Sequence, residues 1–392
     1  MRFRHPDGST VHLAYCTNVH PAEDLPGVRR QLTEYAEPVR RRLGVDRLGL
    51  GLWLAHDAVA ELTARPEELA RLRAALDRHG LEVVTLNGFP YRGFGAERVK
   101  YRVYRPDWTD PARLDHTARL ATLLTGLLPE DATEGSVSTL PLGWHTGFGE
   151  TALRAALHQL TELARRLDAL EERTGRRIRV GLEPEPGCVV ETTAGAVAAL
   201  THRAAPPAHR IGVCVDTCHL ATGFEDPATA LTTLTGAGIP VVKAQLSAAL
   251  HAEHPAHPEV RAALREFDEP RFLHQTRARS DPLRHRADDL GLALLPGALP
   301  TATPWRAHFH VPLHAPPAPP LTATTDELAA AVRHLVGGAT PRTHHLEVET
   351  YTWHALPPGL RPSTPAELAD GIAAELGVAR DLLTGLGLKE LS

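Results

Sequence analysis

The chain has 392 residues, of which 43% are hydrophobic, and its formal net charge is −5. The apolar content is typical of a folded globular protein and excludes a disordered chain. The acidic balance gives no basic surface for nucleic acid or an anionic membrane, and no apolar run reaches the ~18 residues of a membrane-spanning helix. Because the first residues carry no apolar signal-peptide core, we expect a cytoplasmic protein whose cysteines stay reduced.

Short apolar segments rich in β-branched residues recur along the chain and are predicted as strands. They cover residues 12–18, 47–54, 82–87, 136–140, 179–183, 212–216, 240–246 and 345–350. The amphipathic stretches predicted as helices are 57–79, 110–127, 150–174 and 364–384. Strands that alternate with helices through right-handed crossovers form a parallel sheet. Eight such strands predict an α/β fold, a closed (β/α)8 TIM barrel, as a single domain over residues 1–392.

Two features interrupt or end this alternation. Residues 251–304, between the seventh strand and the last one, are predicted as an insertion that acts as a lid or binding loop, because loops of this length in compact domains usually do so. The closing helix, 364–384, begins with Thr364 as its N-cap and Pro365 in its first turn, and Gly385 is predicted to end it.

Polar side chains gather at the ends of the later strands, where a TIM barrel places its active site. These candidates are Glu183, Glu185, Asp216, His219, Lys243, Gln245, His308, His310, Glu347 and Glu349. Alternate residues of a strand share a face, so Lys243 and Gln245 point to one side, as do Glu347 and Glu349. Several inward carboxylates are costly unless they are paired or bound to a cation. The set therefore predicts one or two divalent metals, with Mn, Mg, Zn, Co and Fe all left open.

The first half of the chain is predicted to supply the walls of a substrate pocket. The candidates that follow its strands are Asn18, His20, Trp53, Asn87, Tyr91 and Arg92. Asparagine and histidine side chains suit a hydroxylated substrate, a tryptophan ring can stack on a sugar face, and an arginine can bind an anion. We expect Glu185 and Glu347 to contact the substrate as well.

The order Glu, Asp-x-x-His, Gln, His-x-His, Glu resembles the xylose-isomerase-like TIM-barrel superfamily, which includes sugar isomerases, ketose epimerases and endonuclease IV. The resemblance implies one metal held by Glu183, Asp216, Gln245 and Glu349, and a neighbouring position surrounded by His219, His308 and His310. Gln245 stands where an acidic residue or a histidine is often found, and it is a weaker ligand.

Longer stretches resemble the EboE family of metabolite traffic proteins. They are residues 15–21, 87–91, 103–108, 138–143, 182–187, 216–219, 308–312 and 347–353. This resemblance implies a cytoplasmic barrel that takes part in production or export of a metabolite precursor. It also implies a functional link to a membrane prenyltransferase and to a protein similar to a sugar-phosphate cyclase.

Three functions follow from these patterns. The first is a metal-dependent isomerase or epimerase for a sugar, polyol or cyclitol-like compound, in which the metal polarises a carbonyl or hydroxyl pair. Glu183 or Glu349 is then the base, and Lys243 either protonates an oxygen or forms a salt bridge with a barrel carboxylate. The second is a non-catalytic metabolite carrier, and the third is a hydrolase of small phosphoesters. Glu349 is preferred to Glu347 as the ligand because it lies nearer the end of its strand.

Overall fold

The computed structural model describes residues 1–391. The strands are β1 (Arg2–Arg4), β2 (Thr10–Cys16), β3 (Leu48–Trp53), β4 (Leu81–Asn87), β5 (Glu134–Thr139), β6 (Arg177–Leu182), β7 (Ile211–Asp216), β8 (Val241–Leu246), β9 (Leu250–Ala252), β10 (Thr276–Ala278), β11 (Arg286–Ala287), β12 (Trp305–Ala307), β13 (Thr322–Ala323), β14 (His345–Val348) and β15 (Lys389–Leu391). The helices are α1 (Leu25–Gln31), α2 (Glu37–Leu43), α3 (His56–Ala64), α4 (Pro66–Arg78), α5 (Pro111–Leu127), α6 (Glu150–Thr174), α7 (Thr193–Leu200), α8 (Thr217–Thr222), α9 (Pro227–Gly236), α10 (Pro258–Arg265), α11 (Leu290–Ala293), α12 (Thr325–Val336) and α13 (Pro365–Gly385).

A closed barrel of parallel strands forms the body of the protein and confirms the predicted fold. Strands β2 to β8 pair in sequence order, and β14 closes the ring by pairing with both β8 and β2. The short strand β1 extends the sheet by pairing antiparallel with β2, and β15 pairs antiparallel with β1. Each barrel strand lies within a few residues of its predicted position, since the β-branched runs that predicted them are buried between the barrel interior and the helices.

The predicted helices also recur with small changes. The stretch 57–79 divides at Pro66, so that α3 ends at Ala64 and α4 begins at the proline. Thr364 caps α13 as predicted, since its Oγ1 accepts a hydrogen bond from the Glu367 amide. The helix ends at Gly385, as predicted, and left-handed backbone follows at Gly387, where φ is +89°.

The segment between β8 and β14 is folded rather than a bare loop. Its strands β9 to β13 form a separate five-stranded sheet in the order β11-β10-β12-β9-β13, and α10 and α11 pack with it. His308 and His310 follow β12 and reach the barrel from this sheet. Among residues 1–391, no helix has both the length and the hydropathy to cross a membrane.

Buried polar side chains lie inside the barrel, where branched aliphatic ones fill most such barrels. Lys243 and Glu347 form an ion pair of 2.8 Å there, and both side chains have no exposed surface. Gly51 makes room for this pair, because a Cβ atom at that position would lie 1.8 Å from Glu347 Oε2. The buried charges lie one layer below the carboxyl ends of the strands.

Candidate metal centre

Three carboxylates from three strands meet at the carboxyl end of the barrel. Glu183 follows β6, Asp216 ends β7 and Glu349 follows β14, and one oxygen from each lies within 4.8 Å of the others. All three residues are at most 4% exposed. Oε2 of Glu183 and Oδ2 of Asp216 have no hydrogen-bond partner among the described residues. Such a cluster is unfavourable without a cation, because buried like charges repel.

The pKa values of these carboxyls are raised for the same reason, because burial and mutual repulsion disfavour their ionised forms. Burial, together with the nearby charges of Asp216 and Glu347, raises the pKa of Glu349 to about 8. Burial also raises the pKa of Glu183 well above its ordinary value, with Glu349 and Asp216 adding to the effect. A bound divalent cation would stabilise the ionised forms, so metal binding at this cluster would release protons.

Three imidazoles lie beside the carboxylates and turn the same ring nitrogen toward one another. Nε2 of His308 is 3.0 Å from Nε2 of His219 and 3.2 Å from Nε2 of His310. The other nitrogen, Nδ1, of each ring contacts an oxygen that only accepts, so it carries the proton. These oxygens are Pro184 O at 2.9 Å from His219, Gln275 Oε1 at 2.8 Å from His308 and Glu349 O at 2.7 Å from His310.

The consequence is that three unprotonated nitrogens face one another. Burial lowers the pKa of His219 to about 4 and that of His308 well below its ordinary value, so neither ring is protonated at neutral pH. Imidazoles whose Nδ1–H is fixed by an oxygen and whose Nε2 is free are the usual form of metal-binding histidines. Asp216 Oδ2 lies 3.8 Å from His310 Nε2 and borders both groups. The donor sets fit one or two divalent metals.

Hydrogen bonds from asparagine and serine side chains hold the carboxylates in place. Asn18 Nδ2 and Asn87 Nδ2 donate to Glu349 Oε1 at 2.7 and 2.9 Å. Asp216 Oδ1 accepts from the His219 amide at 2.9 Å, which caps α8, and from Ser247 Oγ at 2.8 Å. The structure thus places Asn18 and Asn87 at the site, where they contact the Glu349 carboxylate, and their role toward a substrate stays a prediction.

Glu185 belongs to the histidine side of the site. Its Oε1 accepts from Tyr104 Oη at 2.8 Å, and burial raises its pKa to about 8. Gln275 directly precedes β10 of the five-stranded sheet. Its Nε2 donates to Tyr104 Oη at 2.8 Å and to Pro186 O at 2.9 Å. Gln275 was not found from the sequence, because it lies in the insertion outside any recognisable motif. Its amide fixes both His308 and the Glu185 neighbourhood.

Lys243, Gln245 and Glu347 lie deeper in the barrel. Burial alone would lower the pKa of Lys243, but Glu347 more than offsets this and raises it. Gln245 has no exposed surface, pairs along the sheet with Asp216 and Glu347, and neither atom of its amide has a partner within the described chain. Of the two glutamates on β14's face, Glu349 therefore joins the carboxylate cluster, whereas Glu347 neutralises Lys243.

Four predicted pocket residues lie away from the cluster. The His20 ring stacks on Tyr35 at 4.2 Å between ring centroids. Trp53 is fully buried and donates to Pro90 O at 2.9 Å. Tyr91 packs on helix residues and Arg92 is exposed. None of the four lines the cavity described next.

A cavity opens above the carboxylates and imidazoles. It encloses about 510 Å³ of space free of atoms, counting the part of its mouth that opens to solvent. Its lining consists of Asn18, Asn87, Phe89, Pro90, Phe94, Val99, Lys100, Val103, Tyr104, Glu183, Glu185, His219, Phe272, Leu273, His308, His310, Glu349 and Tyr351.

Comparison with solved structures gives similar folds at low identity. A xylose isomerase-like TIM barrel protein from Mycobacterium smegmatis in complex with magnesium is 14% identical, with a TM-score of 0.51 over 96% of this chain and 98% of that one. D-psicose 3-epimerase in the presence of D-fructose is 13% identical, with a TM-score of 0.49 over 95% of this chain and 99% of the other. The IOLI protein with a bound zinc atom is 14% identical, with a TM-score of 0.49 over 95% and 98%.

At 14% identity, the match to the Mycobacterium smegmatis protein supports the fold and nothing finer. No curated protein matches the sequence. The family model described as xylose isomerase-like TIM barrel matches residues 40–252, which is more than half of the chain and includes Glu183 and Asp216. Together with the closed barrel, this match shows that the chain belongs to the xylose isomerase-like TIM-barrel family.

Proposed function

We propose that this protein is a divalent-metal-dependent isomerase or epimerase that acts on a sugar, polyol or cyclitol-like compound. The observation that carries the proposal is the meeting of three carboxylates without lysine or arginine partners and three imidazoles with unprotonated Nε2 atoms at the floor of one cavity. Titratable groups whose pKa values are strongly shifted by burial and by one another, placed in a cleft, are typical of catalytic sites.

In this proposal the carboxylates and imidazoles form two ligand groups. Glu183, Asp216 and Glu349 hold one ion, with the Gln245 amide as a weaker ligand, and His219, His308 and His310 surround a neighbouring position. A bound divalent metal supplies Lewis acidity toward a carbonyl or a pair of hydroxyls.

The remaining chemistry belongs to the side chains of the chain itself. Glu183 or Glu349 removes a proton next to the carbonyl and returns it, since both border the cavity. Asn18 and Asn87 keep the Glu349 carboxylate in one orientation. Lys243 donates to Glu347, so its contribution is to balance charge below the carboxylates.

A finer proposal is that the protein acts, in the cytoplasm, as an EboE-type protein in the production or traffic of a metabolite precursor. It would then work with a membrane prenyltransferase and a protein similar to a sugar-phosphate cyclase. The stretches 87–91 and 347–353, which carry this resemblance, include five cavity residues: Asn87, Phe89, Pro90, Glu349 and Tyr351. Phosphoester hydrolysis has less support, because Lys100 is the one lysine of the described lining and it is paired with Asp289.

Elemental analysis of the purified protein tests the proposal. We expect near-stoichiometric divalent metal in the wild type and none in Glu183→Ala/Asp216→Ala. Glu375→Gln is the matched control, because Glu375 is an equally buried carboxyl that lies outside the cluster. A wild type that takes up no metal even after reconstitution contradicts the proposal. Metal-loaded protein is then screened for turnover of sugars and cyclitols, and binding without turnover would favour the metabolite carrier.

A further inference from the structure

One side of the cavity is a wall of aromatic rings. The centroids of Phe94 and Phe272 are 5.1 Å apart, and that of Tyr351 lies 5.3 Å from Phe94 and 4.9 Å from Phe272. We call these three residues the aromatic wall. The lining around it is also apolar and consists of Phe89, Pro90, Val99, Val103 and Leu273. Apart from its floor, the cavity is therefore a hydrophobic compartment.

The polar groups that reach the cavity above the floor already have partners. Lys100 Nζ donates to Glu269 O at 3.1 Å and to Asp289 Oδ2 at 2.5 Å. Tyr104 Oη donates to Glu185, and Tyr351 Oη lies 3.3 Å from His308 Nε2. The described lining contains no arginine. A free sugar has a hydroxyl on nearly every carbon, and each one buried here without a partner would weaken binding.

The covering segments are fixed to each other by backbone contacts. The amides of Val99 and Lys100 donate to Arg271 O at 2.8 and 2.9 Å. Arg271 Nη2 in turn donates to Phe94 O at 3.1 Å. The loop after β4 and the segment before β10 thus hold Phe94 and Phe272 in contact, and the aromatic wall is a built part of the cavity.

From this division we infer that the ligand has an oxygenated end and an apolar body. Its oxygenated end, a hydroxy ketone or vicinal diol, lies on the floor of carboxylates and imidazoles, and a hydrocarbon substituent that carries an aromatic ring or a branched chain lies against the aromatic wall. The assignment of the oxygenated end rests on the proposed function. Within the proposed function, the preferred substrate class is then an apolar derivative of a small hydroxy ketone or polyol, which binds more tightly than free sugars or phosphate esters.

A matched set of ligands tests this inference. Hydroxyacetone, 2-hydroxyacetophenone and D-fructose are titrated into metal-loaded protein, with binding followed by nuclear magnetic resonance. The phenyl ketone is expected to bind about 10-fold more tightly than either of the others, because it buries a ring. Binding of D-fructose as tight as that of the phenyl ketone, with metal present, would overturn the inference and leave the proposed function standing.

Two conservative variants show where the ring binds. Phe272→Leu is expected to weaken binding of 2-hydroxyacetophenone about 3-fold, with metal content and hydroxyacetone binding unchanged. Phe267→Leu is the matched control, since Phe267 is 4% exposed, close to the 5% of Phe272, but packs on Phe309 outside the cavity lining. Equal effects of the two variants would overturn the inference. Absence of metal from the wild type would overturn the proposed function instead, and the same ligands titrated into the metal-free protein would then test the ring preference on its own.

Discussion

The two ends of the barrel both bury carboxylates, but they treat them in opposite ways. At the amino-terminal end, Arg2 donates to the Glu82 carboxylate at 2.7 and 2.9 Å, and His12 lies 3.6 Å away. Burial would raise the pKa of Glu82, yet His12 and Arg2 outweigh it and lower that pKa. At the carboxyl end, Glu183 and Glu349 have no arginine or lysine partner among the described residues, and their pKa values are raised.

This difference distinguishes buried carboxylates that are paired with a basic side chain from buried carboxylates that only a bound cation would neutralise. When a buried carboxylate is paired with a basic side chain, removal of either partner lowers the stability of the folded protein. A buried carboxylate without such a partner destabilises the folded protein, and a bound metal cation would relieve this destabilisation. Glu375 is a third kind: it accepts from Thr350 Oγ1, the Leu313 amide and Trp353 Nε1, which are all uncharged donors.

The largest expected effect comes from making a paired carboxylate unpaired. Lys243→Met leaves Glu347 buried without its cation and should lower the free energy of unfolding by about 4 kcal/mol. Adding Glu347→Leu should restore most of this loss, because the charge that was left unpaired is removed. Urea denaturation of the two proteins measures both values. A single variant as stable as the wild type would show that the pair is not needed by the fold.

The next prediction compares the two barrel ends directly in metal-free protein. Glu82→Gln should lower the free energy of unfolding by about 3 kcal/mol, because the Arg2 interaction is weakened. Glu183→Gln should raise it by about 1 kcal/mol, since repulsion at the cluster is relieved. Opposite signs in matched denaturation curves support the distinction, and a loss of stability in both variants would refute it.

Glu375 predicts a pH dependence of stability. Burial raises its pKa to about 7 in the folded protein, from an ordinary value of 4.5. Between these pH values the unfolded chain releases the proton while the folded protein keeps it, so this contribution to stability is complete below the lower value and is lost as pH rises through the upper one. From pH 5 to pH 7 the loss is about 2 kcal/mol.

The measurement is the difference between wild type and Glu375→Gln, unfolded in urea at several pH values. The variant should lack this component of the pH dependence, because an amide does not titrate. If the wild type and the variant follow parallel curves across the window, Glu375 is ionised in the folded protein and its uncharged donors suffice to keep it so.

The smallest expected effect concerns Gln245 as a metal ligand at the carboxyl end of the barrel. Gln245→His replaces an amide without partners by an imidazole, a better ligand for most transition metals, and should tighten metal binding about 10-fold. Titration with a competing chelator measures the change. Weaker binding in this variant would mean that position 245 faces away from the ion.

Most of the fold and the metal-binding candidates were predictable from local patterns. Barrel strands are β-branched runs, and strand parity with position at the strand end points to Glu183, Asp216 and Glu349. Parity alone did not separate Glu349 from Glu347, because the two share a face and differ only in depth. Tyr351 lay within a recognised stretch and was two residues from Glu349, so it was open to the same reasoning.

The aromatic wall and Gln275 were not predictable in this way. Phe94 and Phe272 come from a loop and from the insertion, where no periodicity fixes a side-chain direction, and they meet only through tertiary contacts. The same lack of a local signal explains why two residues predicted for the pocket lie outside it. Trp53 and His20 follow strands as the ligands do, yet their rings pack toward Phe94 and Tyr35.

Asp216 divides its two oxygens between two tasks. Oδ1 accepts the His219 amide and begins α8, whereas Oδ2 has no partner. The same carboxylate thus caps α8 with one oxygen and lies in the candidate metal cluster with the other. We therefore expect hydrogen exchange of the His219 amide to slow when a metal binds to Asp216, so that it reports metal binding without any substrate.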